Sequence, residues 1–142
     1  MTKIILHNQA KLNDQLDLKN IILLDNQSRL DLICNKKLTS KIEKSDKKIS
    51  VQGNGGTLTI KYKARILGYN YDTWYSKYSI ANIISRNNMT RQYRVTYDSN
   101  DQKIIVHWEA YSLLDTDFRI HKSGLHVFYP EETKNLVLMN KV

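Results

Sequence analysis

Apolar residues along this chain gather in short runs, either continuous or alternating with polar ones, and polar clusters separate the runs. Such spacing predicts β-strands rather than long helices. Ile21-Ile22-Leu23-Leu24 is a continuous run, the pattern of a strand buried on both faces, and it leads directly into Asp25. Asn26, Gln27 and Ser28 follow, residue types that favour a turn, so Asp25 is expected at the mouth of a sheet. An acid in that place is either an ordinary solvated strand end or a carboxylate presented for chemistry. Ile49-Ser50-Val51-Gln52 alternates apolar with polar, and Leu58, Ile60 and Tyr62 alternate again beyond Gly53-Asn54-Gly55-Gly56. This is the signature of a hairpin whose glycine-rich tip reaches positive φ without a Cβ clash. Further strands are expected at residues 64–67, 71–75, 93–97, 104–107 and 125–129, with a turn at Asp98-Ser99-Asn100-Asp101.

One segment breaks the β pattern. Ile80, Ile83 and Ile84 fall at i, i+3 and i+4, which places them on one face of a helix, and polar Ser85-Arg86-Asn87-Asn88 follows. The stretch from Lys41 to Lys48 is charged and reads as a solvated loop. Residues 1–20 read as a leader or linker segment, residues 21–130 as the domain and residues 131–142 as a C-terminal tail. Pro130, the only proline, lies after the last expected strand and interrupts nothing. The fold class is therefore all-β with one short helix.

Composition adds bounds to this picture. A chain of 142 residues is most simply one domain, large enough to bury a core without metal or disulfide staples. Its 22 Lys and Arg against 14 Asp and Glu give a net charge of +8, which favours a polyanionic partner and also serves solubility. The lone Cys34 can form no internal disulfide, and four scattered histidines offer only a poor His121/His126 pair, so a reducing compartment and no metal or cofactor are expected. The apolar run near Met1 is too short for a signal peptide and no stretch approaches the length of a membrane span, so an intracellular, cytoplasmic protein is expected.

Several motifs carry competing readings. The Gly53–Gly56 tip lacks the Gly-Lys-Ser/Thr of a phosphate-binding loop, and serves instead as a mobile cover over a site or as a plain surface turn. Tyr62-Lys63-Ala64-Arg65 and Arg91-Gln92-Tyr93-Arg94 interleave aromatic and basic residues as nucleic-acid-binding surfaces do, while the same tyrosines suit strands. Trp74 and Trp108 are expected as core or interface anchors, and Cys34 as a small buried residue.

Taken in order, five segments resemble a retropepsin domain, and more closely the protease region of Ty1/copia-type retrotransposon polyproteins. Leu23-Leu24-Asp25-Asn26-Gln27-Ser28 occupies the place of the apolar-apolar-Asp-Ser/Thr-Gly-Ala-Ser/Thr signature. Val51 to Leu58 resembles the flap hairpin, and Ile83-Ile84-Ser85-Arg86-Asn87 the apolar-apolar-Gly-Arg-Asn/Asp motif that leads into the C-terminal helix. The segments Tyr93–Asp98 and Gly124–Tyr129 resemble those joining copia proteases to the integrase region. The resemblance spans about residues 21–129. It implies a closed barrel with a flap hairpin, a homodimer, and an aspartic endopeptidase that processes a retroelement polyprotein in the cytoplasm or within virus-like particles. In that reading Asp25 is catalytic, Asn26, Gln27 and Ser28 form the active-site loop, and Gly53, Asn54, Gly55 and Gly56 close over a peptide or polyprotein substrate.

The departures from that pattern define the alternative. Asn26 replaces a hydroxyl residue, Gln27 replaces glycine at a crowded point, and Ser85 replaces the glycine of the second motif. A degenerate protease, or a non-catalytic dimeric binding or assembly module that contacts nucleic acid through its basic surface, would carry the same changes.

Overall fold

The computed structural model describes residues 3–5, 17–53, 55–66, 69–108, 113–130 and 140–141. The strands are β1 (Lys3–Ile5), β2 (Ile22–Asp25), β3 (Leu32–Ile33), β4 (Lys41–Gly53), β5 (Gly56–Arg65), β6 (Thr73–Tyr75), β7 (Asn82–Ser85), β8 (Arg94–Asp98), β9 (Lys103–His107), β10 (Leu113–Leu114), β11 (Thr116–Ile120), β12 (His126–Phe128) and β13 (Asn140–Lys141). Among the described residues a 3-10 turn covers Lys36–Leu38 and one helix, α1, covers Arg86–Gln92. Eleven strands form a single mixed sheet in the order β1-β4-β5-β6-β3-β7-β2-β12-β11-β9-β8, and β10 pairs separately with β13.

The centre of the sheet follows from its apolar runs. β2 lies parallel to β7 and antiparallel to β12, so it has ladder partners on both edges. Its alternating side chains enter two different cores. Ile22 and Leu24 join Ile33, Ile84, Phe118 and Phe128 on one face, whereas Ile21 and Leu23 join Ala81, Ile83 and Val127 on the other. Each such fully buried aliphatic side chain contributes about 2 kcal/mol by leaving water. A third cluster, with Leu32, Ile49, Val51 and Ile60, sits beneath the β4–β5 hairpin. Trp108 is buried too, with its indole N–H donating to Thr116 Oγ1 at 2.8 Å and its ring edge-on to Tyr93.

Several expectations change here. The sheet is open rather than a closed barrel: β1 and β8 are its two ends, and closure would require hydrogen bonds between them. The expected charged loop at residues 41–48 is strand, because Lys41, Ile42, Glu43 and Lys44 pair with Arg65, Ala64, Lys63 and Tyr62 across the hairpin. Only residues 45–48 bulge from the ladder, where the register shifts between Lys44 and Ile49. The expected helical face of Ile80, Ile83 and Ile84 is not helical. Ile83 and Ile84 belong to β7, whose position between β2 and β3 buries both of its faces and mimics a helical stripe. The helix lies just after them, in the polar residues. Ala64 and Arg65 continue β5 rather than start a new strand, while Leu67 falls outside the described residues. The expected strand at residues 71–75 is confined to Thr73–Tyr75.

Within the segment read as a leader, residues 3–5 pair with β4 and Leu18 is buried; of the tail, only residues 140–141 are described. No helix among the described residues is long and apolar enough to cross a membrane.

Candidate active site

Asp25 is the last residue of β2, half-buried, and the parallel register sets it beside Ser85, the last residue of β7. Its Oδ1 accepts the Gln27 N–H at 2.8 Å, a short side-chain-to-backbone turn that orients the carboxylate as the chain leaves the sheet. Asn26 and Gln27 are exposed. The crowding expected at Gln27 is therefore absent within this chain, and its amide has solvent around it. Ser28 is buried, and its hydroxyl donates to Leu30 O at 2.7 Å while accepting the Leu30 N–H at 3.2 Å. That pair of bonds closes the loop and returns the chain to β3.

A second carboxylate, that of Asp31, accepts from the backbone of Ser85, the ladder partner of Asp25. Asp31 is buried, and its Oδ1 accepts the Ser85 N–H at 2.8 Å and the Asn88 side-chain amide at 3.3 Å. Its Oδ2 accepts the Tyr69 hydroxyl at 2.6 Å, and its own carbonyl accepts the Trp74 N–H at 2.8 Å. Burial pushes the Asp31 carboxyl above its ordinary range, against the pull of its hydrogen bonds from Tyr69, Ser85 and Asn88. Tyr69 is raised as well, by burial first and then by the charge of Asp31. Asp31 thus acts as a strut joining the loop after β2 to β6, the end of β7 and α1. In sequence Asp31 stands only as an acid inside the apolar stretch Leu30-Asp31-Leu32-Ile33, which marks it as unusual without naming its partners.

Ser85, standing where the resembled motif has glycine, is fully buried and caps α1: its Oγ accepts the Asn88 N–H at 3.2 Å. Asn82, at the other end of β7, is a second polar hub that the apolar pattern hides. Its Oδ1 accepts the Cys34 and Asn35 N–H groups at 2.8 and 3.1 Å, and its Nδ2 donates to Lys19 O and Ile21 O, each at 2.9 Å. Cys34 is buried beside it, and burial pushes the thiol up to about 11, so it stays protonated and unreactive at neutral pH.

The hairpin tip sits over a cavity of about 200 Å³ whose walls include Val51, Leu58, Tyr78 and Ile80, together with Gly53, Gly55 and Gly56. Asp25 does not line it. Gly56 has φ of +116°, the conformation that turns the hairpin and that other residues rarely adopt, and a Cβ built there meets nothing within 4 Å. The glycines therefore serve the turn and leave open space in front of it. Asn54 lies outside the described residues. Among the described residues no group of three or more His, Cys, Asp or Glu side chains is placed to hold a metal ion.

What the structure brings together, then, is Asp25, Ser85 and Asp31 at one end of the central strands, with the hairpin tip forming a separate cavity against residues 78–80. Comparison with family models, curated proteins and solved structures finds no match to this chain.

Proposed function

We propose that this chain is one protomer of a homodimeric, retropepsin-like aspartic endopeptidase that processes a retroelement polyprotein. The observation that carries the reading is the parallel β2–β7 pair, which ends with Asp25 beside Ser85 at the start of α1. Support comes also from the long β4–β5 hairpin, whose tip forms one side of a cavity suited to a substrate side chain.

Peptide hydrolysis by carboxylates needs two of them. Asp31 is already committed to Tyr69, Ser85 and Asn88, so the second reacting acid is the Asp25 of another copy. Two carboxylates about 3 Å apart repel when both are charged, so the pair shares one proton. The ionised member then takes a proton from water as it attacks the peptide carbonyl, and the protonated member donates to the departing amide nitrogen. Asn26 and Gln27, exposed in the single chain, face the partner loop. Backbone groups at Gly53, Gly55 and Gly56 lie along an extended substrate, and Tyr78 and Ile80 favour an apolar side chain.

The purified chain is expected to sediment as a dimer and to cleave peptides best at mildly acidic pH. A stable dimer without cleavage under those conditions would favour the second reading, a non-catalytic binding or assembly module. The observation on that side is that Asn26 and Gln27 stand where hydroxyl and glycine are needed to brace paired active-site loops.

A further inference from the structure

Tyr78 also borders a second and larger groove, of about 470 Å³, between β4, β5 and the segment after β6. Its floor is aliphatic, with Ile60 buried and Ile42 half-buried. Tyr62, Tyr75 and Tyr78 line it, and the ladder register sets Tyr62 across from Tyr75 on one side and from Lys44 on the other. Tyr62 is 46% exposed and Tyr78 73%, a large solvent-facing ring area for a strand and its following turn. Lys61 and Lys77 complete the lining, and Lys77 Nζ stands 5.1 Å from the Tyr78 ring centroid. No acid lines the groove, and among the described residues neither lysine is paired with a carboxylate.

From this juxtaposition we infer that the groove binds single-stranded nucleic acid, at a site separate from the proposed peptide-cleaving centre. The lysines attract phosphates, and the net charge of +8 adds long-range attraction. The exposed tyrosine rings offer flat faces on which unpaired bases stack. An acidic peptide would satisfy the lysines but has no planar groups for the tyrosines, and a duplex keeps its base faces stacked on one another. The chemistry of the groove therefore favours the single strand over both.

The test is fluorescence anisotropy of a short labelled oligothymidylate with the intact chain, from about 50 to about 300 mM salt. Affinity should fall steeply with salt. Lys61→Ala combined with Lys77→Ala should weaken binding and flatten the log–log salt slope by about 1.4, the share of two phosphate contacts on a single strand. Tyr62→Leu, which keeps an apolar strand residue, should weaken binding about tenfold with the slope unchanged. Lys36→Ala with Lys37→Ala, on the remote 3-10 turn, should bind like the wild type, and so should Asp25→Asn, which separates this site from the proteolytic reading. The inference is overturned if Tyr62→Leu has no effect or if the Lys36/Lys37 variant loses as much as the Lys61/Lys77 variant. Equal binding of a duplex, displacement by polyglutamate of equal charge, or a Tyr62→Leu change in dimerisation alone would overturn it as well.

Discussion

Of the two acids at the candidate site the more heavily engaged is not Asp25 but Asp31, whose two oxygens accept from Tyr69, Ser85 and Asn88. Asp31→Ala leaves the Tyr69 hydroxyl and the Ser85 N–H without their acceptor inside the protein, so chemical denaturation should show a loss of about 3 kcal/mol. The pH dependence has a definite sign. Because the folded carboxyl is raised above its ordinary value, the folded state holds the proton more firmly than the unfolded chain. Its stabilising contribution is complete below the unfolded value and is lost as pH rises through the folded one. The melting temperature of the wild type relative to Asp31→Asn should therefore decline as pH climbs upward from about 4. Asp25→Asn should behave differently, with an unchanged fold and peptide cleavage lowered by at least about a hundredfold. The place of Asp25 at a strand end was legible because an apolar run ended on it, a signal that strand burial itself creates. Asp31 and Asn82 were not, since a lone polar residue inside an apolar stretch gives no hint of which backbone groups, tens of residues away, it will satisfy.

At the scale of elements, the junction between β7 and α1 is the sensitive point. Ser85 ends the strand, caps the helix and donates its N–H to Asp31. Ser85→Ala should cost about 1 kcal/mol in urea unfolding, whereas Ser85→Gly, which restores the residue of the resembled motif, should cost only a few tenths. On β12, His126 is held below its ordinary value by burial first and by Arg86 second. A depressed folded value means full stability above about pH 6.5 and progressive loss as pH falls below it, so replacing His126 by Leu should flatten the decline in melting temperature on that side. The β4–β5 hairpin was readable from alternation and its glycines, but not its length, because its solvated outer half carries charges that look like loop. The helix was misplaced by a few residues for the opposite reason: a short central strand buried on both faces has no alternation, and three isoleucines at i, i+3 and i+4 imitate a helical stripe. β3 and β11 escaped notice, β3 being only two residues long and β11 mixing polar and charged residues with Phe118.

For the molecule as a whole, the sequence indicated a mostly β chain, and in the structure eleven strands form a mixed sheet that is open at β1 and β8. Closure of a sheet depends on which distant strands become neighbours, and periodicity within a segment carries no information about that. The same limit applies to the proposed assembly, in which a single chain with one presented aspartate would supply half of a dyad. The central claim is that two copies complete it, and subunit mixing tests this directly. Wild type and Asp25→Asn are equilibrated together at fixed wild-type concentration, and peptide cleavage is followed as the variant is added. If each active centre takes one Asp25 from each copy, a ninefold excess of variant should lower cleavage about tenfold, because nearly every wild-type chain is then paired with an inert one. Cleavage that stays at the level of the wild type alone would contradict the account.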